Sequence, residues 1–183
     1  DPIVLTDEHG SVGFYGIPYL NPDAVMDKLG AGRSHESVLS AVSKKIIDDA
    51  SERGLSRTVV LAHAFITGAT ASESEREIRV GGVDHAPASV FDGFNYVALG
   101  HLHGPQNVAL SDSATTLGYS GSPIAFSFSE RDHKKSVSIV ELDAAGSVTV
   151  DRVAVPTVRP LIQVTGTLQD LIERASGNLA HLA

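Results

Sequence analysis

Apolar residues in this chain gather into short runs, and a glycine, proline or acidic residue closes most of them. Ile3-Val4-Leu5 and Val12 to Tyr19 are two such runs, and Thr6-Asp7-Glu8-His9-Gly10 between them has the composition of a hairpin turn. Pro18 and Pro22 end the second run. From Ser34 the period changes, because Val38, Leu39, Val42, Ile46 and Ile47 recur at helical spacing with Lys44, Lys45, Asp48 and Asp49 around them. The pattern predicts a sheet-covering helix with Ser34 as N-cap and Gly54 as its stop. Arg57 to Ala62 then enters a sheet, and so does Tyr96-Val97-Ala98-Leu99-Gly100. After residue 103 the chain reads as β throughout: 106–110, 115–119, 137–142 and 148–155, an antiparallel meander packing on the first sheet. Pro156 and Pro160 bracket an extended linker, 161–165 reads as one more strand, and Thr167-Leu168-Gln169-Asp170 opens a helix with a capping-box pattern. The fold class expected is α/β.

Two of the buried-looking runs end in histidine. Gly100 is followed by His101-Leu102-His103, and Val59-Val60-Leu61-Ala62 delivers His63 in the same manner. Side chains two apart on an extended chain point the same way, and neutral imidazole is a ready metal ligand. Histidines after strands also serve simply as hydrogen-bonding groups, so spacing alone leaves both readings open. Three imidazoles at the ends of two hydrophobic strands are what an α/β sheet needs to assemble a site at one edge. Thr67 to Gly82 would form a loop over that edge, where Arg76 can approach a substrate phosphate or pair with Glu73 or Glu75. Ser120-Gly121-Ser122-Pro123 is a tight turn that either offers N–H groups to a phosphate or serves only as a hairpin corner. Lys134-Lys135 reads first as a solvated turn and second as a phosphate contact. His85, in Asp84-His85-Ala86-Pro87, reads as a surface turn residue.

Composition narrows these options. With 183 residues, 42% of them hydrophobic, the chain can bury a substantial core. No apolar run approaches the roughly 20 residues of a membrane span. The absence of cysteine excludes disulfides and thiolate ligands and suits a cytoplasmic protein. A formal net charge of −8 is awkward for a protein that grips duplex DNA unaided, since that affinity rests on Lys and Arg against phosphates.

The order His63, Phe94 to His103, Pro105-Gln106 and Tyr119-Ser120-Gly121-Ser122-Pro123 resembles the SbcD family of nuclease subunits, within the calcineurin-like metallophosphoesterases. Gly-His-x-His alone indicates only the superfamily. Gly68-Ala69, Ser72-Glu73-Ser74-Glu75-Arg76, Phe126-Ser127-Phe128-Ser129-Glu130 and Lys134-Lys135 narrow it, and the resemblance runs from Val12 to Leu171. The superfamily's Gly-Asp-x-x-Asp and Gly-Asn-His-Asp motifs are missing. Asp7-Glu8-His9 imitates its early Asp-x-His, but Val12 to Leu20 resembles the family segment that comes after Gly-Asn-His-Asp, so the hairpin reading is preferred. Gly104 stands where a basic residue is common.

The resemblance implies the C-terminal half of a four-layer α/β/β/α sandwich in residues 1–156, with a linker and the opening of a small cap domain in 157–183. It implies two divalent ions, typically Mn2+, one held by His63 and His101 and the other by His103, with Arg76, Ser120 and Ser122 near the substrate. The implied activity is 3′-to-5′ double-strand exonuclease and single-strand or hairpin endonuclease action on DNA. The implied partners are the SMC-like ATPase SbcC and a second copy of the subunit, in the cytoplasm at the nucleoid. Without a bridging carboxylate this chain alone should be inactive. Another phosphoesterase acting on small phosphodiesters, or a non-catalytic scaffold, are the alternatives.

Overall fold

The turn expected at Asp-Glu-His-Gly is present. In the computed structural model, which describes residues 1–70, 85–157 and 159–178 and the side chains of the last helix only as far as Glu173, β1 (Ile3–Asp7) and β2 (Gly10–Ile17) form an antiparallel hairpin. Asp7 pairs across it with Gly10, whose φ of +106° only glycine adopts readily.

Two helices follow. The first, α1 (Pro22–Leu29), was not expected, although its signals are local: Asn21 caps it by accepting from the Asp23 N–H, Pro22 opens it and Gly30 ends it in the left-handed conformation. The second, α2 (His35–Glu52), is capped by Ser34, whose hydroxyl accepts from the Ser37 N–H. It buries Val38, Leu39 and Ile46 against the sheet, while Ile47 lies at the margin with 40% of its surface exposed.

The main sheet has the order β1-β2-β3-β4-β6-β5, where β3 is Arg57–His63, β4 Tyr96–Gly100, β5 Gln106–Val108 and β6 Thr116–Tyr119. The run β2-β3-β4-β6 is parallel, and both outer pairs are antiparallel. A separate two-stranded antiparallel sheet joins β7 (Ser136–Leu142) to β8 (Val148–Ala154). The expected four-stranded meander is therefore corrected: its first two strands extend the main sheet and only the last two form a second one. Leu117, Gly118 and Tyr119 are all buried, which is how an interior parallel strand reads, whereas β7 alternates between half-buried and exposed positions. The strand expected at 161–165 does not form either. Among the described residues that segment has no ladder partner, and Ile162 and Val164 are 44% and 46% exposed.

The core lies between α2 and the main sheet, with Val60, Val97, Ile66, Phe91 and Tyr119 completely buried. Burial holds the Tyr119 phenol well above its ordinary pKa, and its hydroxyl is satisfied twice, donating to the Ala64 carbonyl at 2.7 Å and accepting from the Ile66 N–H at 3.1 Å. Side chains tie the second sheet to the first. Arg57 donates to the Leu142 carbonyl, Asn95 to the Gly146 carbonyl and Arg152 to Asn107. Thr167 and Asp170 bond reciprocally at the start of α3 (Leu168–Asn178), as the capping pattern requires. No helix among the described residues is long and apolar enough to cross a membrane.

Candidate metal centre

Parallel pairing sets the register of the site. His63, the last residue of β3, lies opposite Gly100, the last of β4. Both strands therefore deliver their histidines to the C-terminal edge of the sheet, where ligands of open α/β sheets collect. A Cβ on Gly100 would come within 3.3 Å of His63 Nδ1, so the glycine leaves room for the neighbouring imidazole.

The strand stops abruptly after Gly100. His101 has φ +109°, a conformation that costs a non-glycine residue on the order of 1–3 kcal/mol and is retained chiefly at functional positions. At this turn the two histidines take different neighbours. His101 packs edge-on against His63, with ring centroids 5.4 Å apart, and near Phe65 at 6.0 Å. Leu102 is buried, and His103 turns instead toward Phe126 and Glu130.

Two imidazoles bound to one ion through nitrogens at about 2.1 Å have their centroids about 5 Å apart. The His63 and His101 pair fits that requirement as a partial ligand set. Among the described residues, no three His, Cys, Asp or Glu side chains come close enough to hold an ion by themselves. Asp7 and His9 take no part. The hairpin register puts them beyond Arg57 at the start of β3, six residues or about 20 Å from His63. Asp7 is held by Arg57 instead, through two hydrogen bonds of 2.7 and 2.8 Å that keep its carboxyl well below the usual carboxylate range.

His103 rests on a buried charged group that sequence reasoning missed. Its Nδ1 lies 3.0 Å from Glu130 Oε1, and Glu130 Oε2 lies 2.5 Å from Lys135 Nζ. The Glu130 side chain is fully buried and that of Lys135 only 4% exposed. Lys135 also donates to Ser122 Oγ at 2.9 Å and to the His103 carbonyl at 3.1 Å. A carboxylate can only accept, so Nδ1 of His103 donates in this bond, and Nε2 is the ring nitrogen that a metal would use. The solvated-turn reading of Lys134-Lys135 holds for Lys134, which is exposed, and fails for Lys135, whose ammonium is enclosed by Glu130. No periodicity links Glu130 to Lys135; the only signal was that both fall in segments of family resemblance.

The Ser120 to Pro123 turn is a corner between the two sheets. Gly121 has φ +78°, and a Cβ there would stand 2.6 Å from the His103 carbonyl, so the turn lies directly against the His103 backbone. The Ser122 N–H donates to that carbonyl, the Ser122 hydroxyl to Ile124 O, and the Ser120 hydroxyl to Ser138 on β7. These groups brace the corner. Arg76 and the Ser72 to Glu75 stretch lie outside the described residues. His85, read from the sequence as a surface turn residue, is half-buried and packs on Phe65 with centroids 6.1 Å apart.

No protein-family model matches the chain. Individual relatives do. The SbcD subunit of the SbcCD nuclease of Bacillus subtilis is 39% identical over 106 residues, 57% of this chain and 27% of that protein. Its counterpart in Staphylococcus saprophyticus is 29% identical over 168 residues, covering 90% of the chain and 42% of the relative. That of Escherichia coli K12 is 28% identical over 181 residues, 93% and 44% respectively. The chain thus spans less than half the length of the relatives it matches. The resemblance read from the histidines and the Ser-Gly-Ser-Pro turn holds: over nine-tenths of its length this chain is SbcD-like.

Proposed function

We propose that the chain is the histidine-bearing part of a metal-dependent DNA nuclease subunit. The observation that carries this reading is the meeting of His63 and His101 at the ends of adjacent parallel strands, in a chain similar to nuclease subunits along most of its length. His63 and His101 contribute to holding one divalent ion and His103 to holding a second, manganese being the metal the resemblance implies. When bound, such ions polarise the phosphodiester and make water a nucleophile at neutral pH. Glu130 accepts from Nδ1 of His103, and Lys135 pairs with Glu130 and holds the Ser122 corner through its hydroxyl. Hydrolysis of DNA by 3′-to-5′ exonuclease and hairpin or single-strand endonuclease action follows from the resemblance. So do assembly with an SbcC-type ATPase and with a second copy, a cytoplasmic location, and a division into a catalytic part (1–156) and the start of a cap (157–183).

The test is manganese-dependent degradation of linear duplex DNA, comparing this 183-residue chain with the product of the complete reading frame that encodes it. Because the described residues offer only a partial ligand set, the chain alone should be inactive. Activity of the reading-frame product, lost in its His101→Ala variant, supports the proposal. Hydrolysis of a small phosphodiester without DNA degradation would move the function to another phosphoesterase.

A further inference from the structure

His103 is held differently from the other two histidines of the edge. His63 ends β3 in a ladder with Gly100, and His101 follows β4 directly. His103 lies between β4 and β5, where the chain forms neither strand nor helix, so no ladder sets its place. Its grip comes from three points further along the chain. Glu130, the last residue of a short turn of helix (Phe128–Glu130), accepts from ring Nδ1 at 3.0 Å. Lys135, just before β7, donates to the backbone carbonyl of the same histidine at 3.1 Å. The Ser122 N–H donates to that carbonyl as well. The three points are joined, because Lys135 Nζ lies 2.5 Å from Glu130 Oε2 and 2.9 Å from Ser122 Oγ. Ring and main chain of His103 are thus tied to one ammonium, directly at the carbonyl and through Glu130 at the imidazole. A buried ion pair is a poor way to add stability, since two apolar side chains of similar size usually do as well or better. Here both charged groups are out of water, with Glu130 fully buried and Lys135 only 4% exposed. What an apolar pair could not supply is an acceptor for an imidazole nitrogen.

We propose that Glu130 and Lys135 are positioning residues for His103, a clamp that holds the ring by Nδ1 so that Nε2 serves a divalent cation, independently of the hold on His63 and His101. This role rests on the reading of the histidine edge as a metal centre. It divides that centre into two parts with separate supports. The part made by His63 and His101 depends on the parallel register of β3 and β4 and on the turn at His101. The part made by His103 depends on the corner at Ser122 and on Glu130 and Lys135 beyond it. Loss of the second support should therefore weaken one part and spare the other. Partners that orient a ligating histidine through its second nitrogen typically contribute about 10–100-fold to metal affinity.

Proton–nitrogen correlation spectra of the imidazole rings of the 183-residue chain, recorded while Zn2+ is added as a diamagnetic divalent probe, report each histidine separately and need no substrate. In the metal-free wild type His103 should carry hydrogen on Nδ1, and Zn2+ should shift its Nε2 resonance. Glu130→Leu/Lys135→Met removes both charges, which is often nearly neutral for the fold, but deprives Nδ1 of its acceptor. The Zn2+ concentration that half-saturates His103 should rise about tenfold or more in this variant, while the midpoint for His63 and His101 stays at its wild-type value. Glu130→Gln/Lys135→Met keeps an acceptor oxygen for Nδ1 and should restore binding at His103, a difference that a merely structural pair would not produce between two folded variants. No Zn2+ shift at His103 in the wild type, an unchanged midpoint in the leucine variant, equal loss in both double variants or parallel loss at all three histidines would each overturn the proposal. So would a metal-free wild-type His103 without hydrogen on Nδ1, a result that decides the matter even if the leucine variant does not fold. If His103 depends on the clamp while the reading-frame product leaves DNA intact, the clamp stands and the nuclease reading falls.

Discussion

Glu130 and Lys135 show how much a single pair of side chains can decide. Removing one member of a buried ion pair leaves the other charged and unpaired, at a cost of about 3–5 kcal/mol, whereas removing both is often nearly neutral. Glu130→Gln or Lys135→Met should each lower the stability of the chain by that amount in urea denaturation. The double variant should be less destabilised than either single one. Additive losses would show that the two charges are not coupled. The residues that carry candidate chemistry were legible to different degrees. His63, His101 and His103 stand out in the sequence because each follows an apolar run. Glu130 does not, because its role comes from contacts with His103 and Lys135 that no local period encodes.

At the scale of elements, α2 is fastened to the sheet by a bond between strand and helix: Tyr15 on β2 donates to Asp49 at 2.9 Å. Arg53 first, and Tyr15 second, hold the Asp49 carboxyl below its ordinary range. Burial, reinforced by Asp49, pushes the Tyr15 phenol up to about 12. An unfolded tyrosine ionises near pH 10. The stabilising contribution is therefore complete below pH 10 and lost as pH rises from about 10 to about 12. Melting temperatures measured across that window should fall more steeply for the wild type than for Tyr15→Phe, which removes the titrating group. Parallel curves would refute the assignment to Tyr15, leaving Tyr96 and Tyr119, both raised by burial, as the source. The capped helices and the hairpin could be read from sequence because caps and turns are local. The sheet membership of 106–108 and 116–119 could not, since alternation says that a strand exists but not which strand it pairs with.

For the whole molecule, the consequence is a site of which the described residues supply a part. A ligand that binds only the folded state stabilises it by RT ln(1 + [L]/Kd), so weak binding gives a small shift. Millimolar manganese should raise the melting temperature of the 183-residue chain only slightly, and His63→Ala or His101→Ala should abolish the shift. A large shift that survives both substitutions would place the metal elsewhere. What the sequence determined by itself was the set of local elements, the histidines at the ends of two apolar strands and the likeness to SbcD-type subunits. Each of these rests on neighbours in the chain, on propensity, caps and short spacings. Tertiary structure alone decided that His101 packs on His63 while His103 meets Glu130, and that Lys135 is enclosed and Lys134 exposed. Those outcomes depend on parallel register, a positive φ at one residue and the packing of two sheets, which brings together groups as far apart in the chain as Arg57 and the Leu142 carbonyl.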